Sequence, residues 1–206
     1  TPTRRQRQMC IRDSLNAMCY PTIDHRGPEF SELALKCLSG IKTIFKTKNP
    51  VIIFPASGTG AWEAALVNTL NDGDNVLMVE TGHFASLWNN MAQKLGLKVE
   101  LLKTDWRQGL DPNEIEKRLR LDADKKIKAV CIVHNETSTG CTSDVKAVRE
   151  ILDNLNHDAL LMVDSISGLA SMNYEHDEWG VDITISGSQK GLMLPPGLSF
   201  LSLIHI

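Results

Sequence analysis

Val181-Asp182-Ile183-Thr184-Ile185-Ser186-Gly187-Ser188-Gln189-Lys190-Gly191 reads as a strand running into a turn of small polar residues, with a lysine just past the strand end. Earlier in the chain a second apolar run, residues 159–163, ends in Asp164. Outward from these two, strand and helix alternate almost throughout. Residues 51–54 read as a strand, Ser57-Gly58-Thr59-Gly60 as a glycine-rich turn, and 61–70 as a helix. Residues 76–80 form a strand and 84–95 a helix that stops at Gly96, where glycine supplies the left-handed cap. Residues 97–102 are a strand, and Asp111-Pro112 opens a helix with a carboxylate N-cap and proline in the first turn. Residues 127–133 form a continuous apolar strand, and 145–155 a helix. Ahead of them all, residues 30–45 place Phe30, Leu33, Leu38, Ile41 and Phe45 on one helical face. Unbroken apolar strands alternating with helices predict an α/β fold, with a mainly parallel sheet covered on both faces. Ligands bind at the carboxyl ends of such strands, and every polar cluster in this chain follows a strand.

The ends read differently from the middle. The DNA ATGTGTATAAGAGACAG encodes Met9-Cys10-Ile11-Arg12-Asp13-Ser14, and its reverse complement encodes Leu201-Ser202-Leu203-Ile204-His205-Ile206. Inverted copies of one short DNA at both ends point to translated transposase adapter, so residues 1–14 and 201–206 are expected to be non-native and 15–200 to be one domain of a longer protein. The whole chain is 42% hydrophobic and 23% charged, with a net charge of −3, which is ordinary globular composition. No basic patch interleaved with aromatics argues for nucleic acid. No apolar run approaches the length needed to span a membrane. The five cysteines show no metal-ligand spacing, and no metal site is expected; they read as reduced thiols of a cytoplasmic protein.

Five features could carry chemistry. Ser57–Gly60 opens a helix, where free N–H groups and the helix dipole favour an anion; a plain strand-to-helix turn has the same sequence. It lacks the Gly-Lys-Ser/Thr of a Walker loop and the third glycine of a dinucleotide fingerprint. Thr81-Gly82-His83-Phe84 puts an aromatic ring where it either covers a flat ligand or starts the core face of the next helix. His134-Asn135-Glu136-Thr137-Ser138-Thr139-Gly140 is denser in polar groups than a solvated turn requires, and His134 alone suits a structural role as well as a catalytic one. Asp164 is either an N-cap for Ser165-Ile166-Ser167 or the partner of a cationic ring nitrogen. Lys190, partly desolvated behind a small-residue turn and followed by Pro195-Pro196-Gly197, suits a nucleophile. A lysine and an aspartate at neighbouring strand ends fit pyridoxal 5'-phosphate (PLP): the amine takes the aldehyde as a Schiff base, and the carboxylate keeps the pyridine nitrogen protonated.

At these residues the chain resembles the class V, fold-type I PLP aminotransferases, in particular the serine–glyoxylate and alanine–glyoxylate group. The resemblance is carried by Thr22-Ile23-Asp24-His25-Arg26-Gly27-Pro28-Glu29-Phe30, by Pro55-Ala56-Ser57-Gly58-Thr59-Gly60-Ala61-Trp62-Glu63, by His134–Gly140, by Val163-Asp164-Ser165 and by Asp177–Lys190. It implies a PLP-binding large domain whose C-terminal small domain lies outside the chain. It implies Lys190 as the cofactor lysine and proton shuttle, Asp164 on the pyridinium and Phe84 stacked on the ring. Thr137 would bond the ring hydroxyl, and Thr59, Gly60, Ala61 and Gln189 would hold the phosphate. The family's reaction passes an amino group from serine or alanine to glyoxylate, giving glycine and hydroxypyruvate or pyruvate. Its members are homodimers, cytoplasmic, or peroxisomal in eukaryotes, and the piece alone is expected to be inactive. Rival readings within the class are a ureidoglycine–glyoxylate aminotransferase and a cysteine desulfurase. A rival outside it is a nucleotide-binding oxidoreductase using Ser57–Gly60, with Glu80 on the ribose.

Overall fold

The computed structural model describes residues 12–203. In chain order the elements are α1 (Pro28–Phe45), β1 (Val51–Ala56), α2 (Gly58–Thr69), β2 (Asn75–Glu80), α3 (His83–Lys94), β3 (Lys98–Lys103), α4 (Pro112–Leu121), β4 (Ile127–Val133), α5 (Val145–Asn154), β5 (Leu160–Asp164), β6 (Ile183–Gly187) and β7 (Gly197–Leu203). The strands form one seven-stranded sheet in the order β1-β7-β6-β5-β4-β2-β3. Only β7 runs against its neighbours, pairing antiparallel with both β1 and β6, so the other six strands end at one edge.

The alternation within each strand builds three layers. Leu77, Val79, Val130, Ile132, Leu161 and Val163 face α1, α4 and α5, which contribute Phe45, Ile115 and Leu152. Val76, Met78, Ala129, Cys131, Val133 and Met162 face α2 and α3, which contribute Trp62, Leu66 and Trp88. Burial on both faces explains why these strands read as unbroken apolar runs. The Asp111 side chain accepts from Asn113 N, with Pro112 in the first turn, as the sequence predicts. Gly96 sits at φ 85°, so the chain can turn from α3 into β3.

Several expectations are corrected. The α1 face is buried only at Ile41 and Phe45; Phe30, Leu33 and Leu38 are exposed. The turn Ser57–Gly60 is shorter than expected: Ser57 is the N-cap, and Gly58 is already helical. The last strand, β7, was not anticipated, since Pro195-Pro196-Gly197 reads as a loop and 201–206 as adapter. Leu201, Ser202 and Leu203 instead continue β7, opposite Ile52, Val51 and β6. A register of apolar and small side chains accepts these residues whatever DNA encoded them. Residues 1–11 and 204–206 of the segments read as adapter lie outside the described residues.

Candidate active site

A cleft of about 150 Å³ opens at the edge where the parallel strands end, between the ends of β1, β4, β5 and β6. Asp164, the last residue of β5, forms its floor and is only 4% exposed. Its Oδ1 accepts from Ile166 N at 2.7 Å and its Oδ2 from the indole Nε1 of Trp62 at 2.9 Å. Asp164 thus ties the turn after β5, as the capping reading expects, and it also lines the cleft. Burial pushes its carboxyl up to about 7, with Glu136 adding to the rise, while Ile166 N–H, Trp62 and Lys190 pull the other way.

Lys190 stands on the cleft rim three residues past β6. The loop that carries it is closed by Ser188, whose N–H donates to Leu198 O at 3.0 Å, whose carbonyl accepts from Leu194 N at 3.1 Å, and whose hydroxyl donates to Pro195 O at 2.6 Å. Gly191 lies so close to the Leu169 carbonyl that no side chain could be added there. The backbone of the lysine loop is thus pinned, but the Lys190 side chain is exposed. The partial desolvation expected from the sequence is not supplied by these residues.

On the other wall, Ser57 caps α2, its hydroxyl accepting from Gly60 N at 3.4 Å, and Ser199 Oγ donates to Ser57 O at 2.6 Å. The N–H groups of Gly58 and Thr59 have no carbonyl a turn back, and both residues line the cleft. Ala61 differs: its N–H already donates to Ser57 O at 3.0 Å and the residue is fully buried. Gly60 and Ala61 build the turn, and neither lines the cleft. Gln189 does, and its Oε1 is buried without a hydrogen-bond partner among the described residues. A Cβ on Gly58 would come within 2.5 Å of the Ile166 side chain, which would have to shift, so α2 approaches the turn after Asp164 closely here.

Phe84 and exposed Thr137 complete the lining. Phe84 is placed by a tie that the sequence did not reveal. Buried Glu136 reaches the open start of α3: its Oε1 accepts from Phe84 N at 3.4 Å and its Oε2 from Ala85 N at 3.1 Å. Ser138 Oγ accepts from His83 N at 2.9 Å and donates to Glu136 at 2.7 Å. A Cβ on Gly82 would press on the Glu136 and Ser138 side chains, which would have to shift. His134 turns away from the cleft, 5.1 Å from the Tyr174 ring and 5.8 Å from Trp179, and its buried setting holds its ring near a pKa of about 4. That is a structural histidine. Trp62, missed as a site residue, lies within the quoted Gly-Ala-Trp-Glu run, but its partner is 102 residues away and no local signal names it.

The donor set fits PLP. A buried acid with two donors and a raised pKa suits a cationic ring nitrogen, free N–H groups at the start of α2 suit an anion, and a primary amine stands at the rim. A dinucleotide fits worse. Four strands separate β1 from β2, so Glu80 is not beside the Ser57–Gly60 turn.

Comparison with known proteins gives the same direction. The family model described as "Aminotransferase class-V" matches residues 12–205. Serine–glyoxylate aminotransferase of Hyphomicrobium methylovorum is 49% identical over 187 residues, covering 90% of this chain and 46% of that protein. L-aspartate–glyoxylate aminotransferase of Paracoccus denitrificans is 47% identical over 184 residues, covering 89% of this chain and 46% of its own length. The crystal structure of alanine–glyoxylate aminotransferase from Nostoc sp. superposes with a TM-score of 0.86 at 30% identity, covering 94% of this chain and 50% of that one. The chain spans about half the length of the curated relatives it matches. No helix among the described residues is long and apolar enough to cross a membrane.

Proposed function

The chain belongs to the class V aminotransferases, and on that premise we propose that its parent enzyme is a PLP-dependent transaminase moving the amino group of serine, or of alanine, to glyoxylate. One juxtaposition carries the reading: the amine of Lys190, the buried carboxylate of Asp164 and the open start of α2 surround a single cleft from three different strands. When bound, PLP supplies an electron sink for the pair released at the substrate α-carbon.

The chain's own residues do the rest. Lys190 would hold the cofactor covalently through Nζ and, when freed by the substrate amine, would hold and return the α proton. Asp164 would keep a proton on the ring nitrogen, and its buried position would strengthen that ion pair. Phe84, its backbone fixed by Glu136, would cover the ring. Thr137 bonds the ring hydroxyl. Thr59 and Gln189 would hold the phosphate together with the N–H of Gly58, while Gly60 and Ala61 contribute by shaping the first turn of α2.

The parent is further proposed to be a cytoplasmic homodimer. The exposed apolar side chains Phe30, Leu33 and Leu38 of α1 support a covering partner, and the free thiols of Cys19, Cys37, Cys131 and Cys141 support a reducing compartment. The test is to express the full-length parent, record its visible spectrum, and assay serine, alanine and aspartate as donors to glyoxylate. A visible cofactor band that Lys190→Ala abolishes, with serine or alanine the preferred donor, is the expected result. Absence of the band overturns the cofactor reading, and preference for aspartate overturns the donor assignment alone.

A further inference from the structure

Asp164 is held by groups of two kinds. Ile166 N–H comes from its own turn, two residues on, and is available wherever the chain turns this way. The Trp62 indole comes from α2 on the other side of the cleft, and nothing local requires it. Trp62 is 3% exposed and its ring stacks on Trp88 at 6.0 Å between centroids with 14° between planes. Trp88 is itself 1% exposed in the core between α3 and the sheet. The indole therefore cannot swing, and its N–H points at one carboxylate oxygen from a fixed plane. Trp62 also lines the cleft.

We infer that Trp62 is a positioning residue for this site: its indole N–H sets the rotation of the Asp164 carboxylate and supplies one of that group's two donors, so that the carboxylate meets a cationic ring nitrogen already aligned. The role of that alignment rests on the PLP reading, whereas the hydrogen bond does not. A tryptophan suits the task because it donates without accepting and carries no charge of its own. A histidine or lysine at the same place would compete with the ligand's cation for Asp164. The stack on Trp88 limits the entropy lost in holding the donor still.

The other groups facing Asp164 are few. Glu136, from the loop after β4, raises its pKa, and Lys190, from the loop after β6, lowers it. The buried Tyr174 hydroxyl bonds Thr184 at 2.7 Å rather than Asp164. With so little compensation, losing the indole donor must be felt in the carboxyl's ionisation, which stands near 7 with the donor in place.

The experiment uses the full-length parent and the Trp62→Phe variant, which keeps an aromatic ring on Trp88 but removes the N–H. In the cofactor-free protein, Asp164 ionisation is followed by the carboxyl stretch in infrared difference spectra, assigned with Asp164→Asn. The Trp62→Phe midpoint should rise by about one pH unit, and PLP binding, followed by the visible band, should weaken roughly tenfold. Trp88→Phe, which disturbs packing but leaves the Trp62 N–H, should leave the midpoint near the parent value. In the unsubstituted protein the Trp62 indole N–H resonance should titrate with the Asp164 midpoint while that of exposed Trp106 does not; this needs no variant to fold. An unmoved midpoint in Trp62→Phe, or an indole resonance indifferent to Asp164, overturns the inference. If the parent shows no visible band but the midpoint still shifts, the cofactor reading has failed and the hydrogen bond stands.

Discussion

Two aspartates are buried at opposite ends of the same sheet, and they are treated in opposite ways. Asp122 follows α4 where β4 and β5 begin. Burial pushes its carboxyl up, but the N–H groups of Ile127 at 2.7 Å and Lys126 at 3.1 Å, with His157 at 3.3 Å, outweigh burial and hold the pKa below the usual range. Asp164, where β5 ends, has one backbone N–H and one indole, and burial wins. The saturated carboxylate is a fastener joining the starts of two strands. The under-satisfied one is a site, because it has binding capacity that the protein does not consume.

Replacing each by asparagine separates the two roles. Asp164→Asn in the full-length parent should lower kcat by on the order of a hundredfold or more with the fold intact, because the loss falls on the charged form of the reacting system. If instead kcat held while stability collapsed, the contrast would be wrong.

The pH dependence of stability should differ in sign. Asp164 has a folded pKa of about 7 against 3.8 for an ordinary aspartate, so it is neutral in both states below 3.8 and ionises first in the unfolded chain as pH rises. The cofactor-free parent should therefore lose on the order of a few kcal/mol relative to Asp164→Asn between pH 3.8 and about 7. Asp122, with its pKa lowered, contributes stability that is present above 3.8 and lost as pH falls below it. Urea titrations across pH read both slopes, and slopes of the same sign would break the comparison.

Asp122→Asn should cost about 2 kcal/mol at neutral pH, since an amide must turn an N–H₂ toward a backbone N–H, and should leave kcat unchanged. Gly82→Ala sharpens the picture least: its methyl would push on Glu136, costing about 1 kcal/mol in thermal unfolding and loosening the start of α3 that carries Phe84. No change in cofactor affinity in that variant would remove Glu136 from the account.

The fold was legible where burial writes itself into a run of residues. β4 is bounded as the apolar run 127–133 predicts, and Asp111-Pro112 starts α4 with the anticipated cap. Strand order was not legible, because no local pattern says that β7 inserts between β1 and β6. The exposed half of α1 shows the same limit from another side: a periodic apolar face declares that something should cover it, not what. Within the site, residues at strand ends were visible because chemistry and position coincide there, as at Asp164 and Lys190. Trp62 and Glu136 were not, since each acts on a partner far away in sequence and looks like helix core or loop polarity from its neighbours alone.

The most direct measurement is chemical trapping. The full-length parent is reduced with borohydride, digested and mapped by mass spectrometry. The account predicts that the reduced cofactor is found on the peptide bearing Lys190, beside Gln189 and Gly191. Recovery of the adduct on any other lysine, or of no adduct at all, would contradict it.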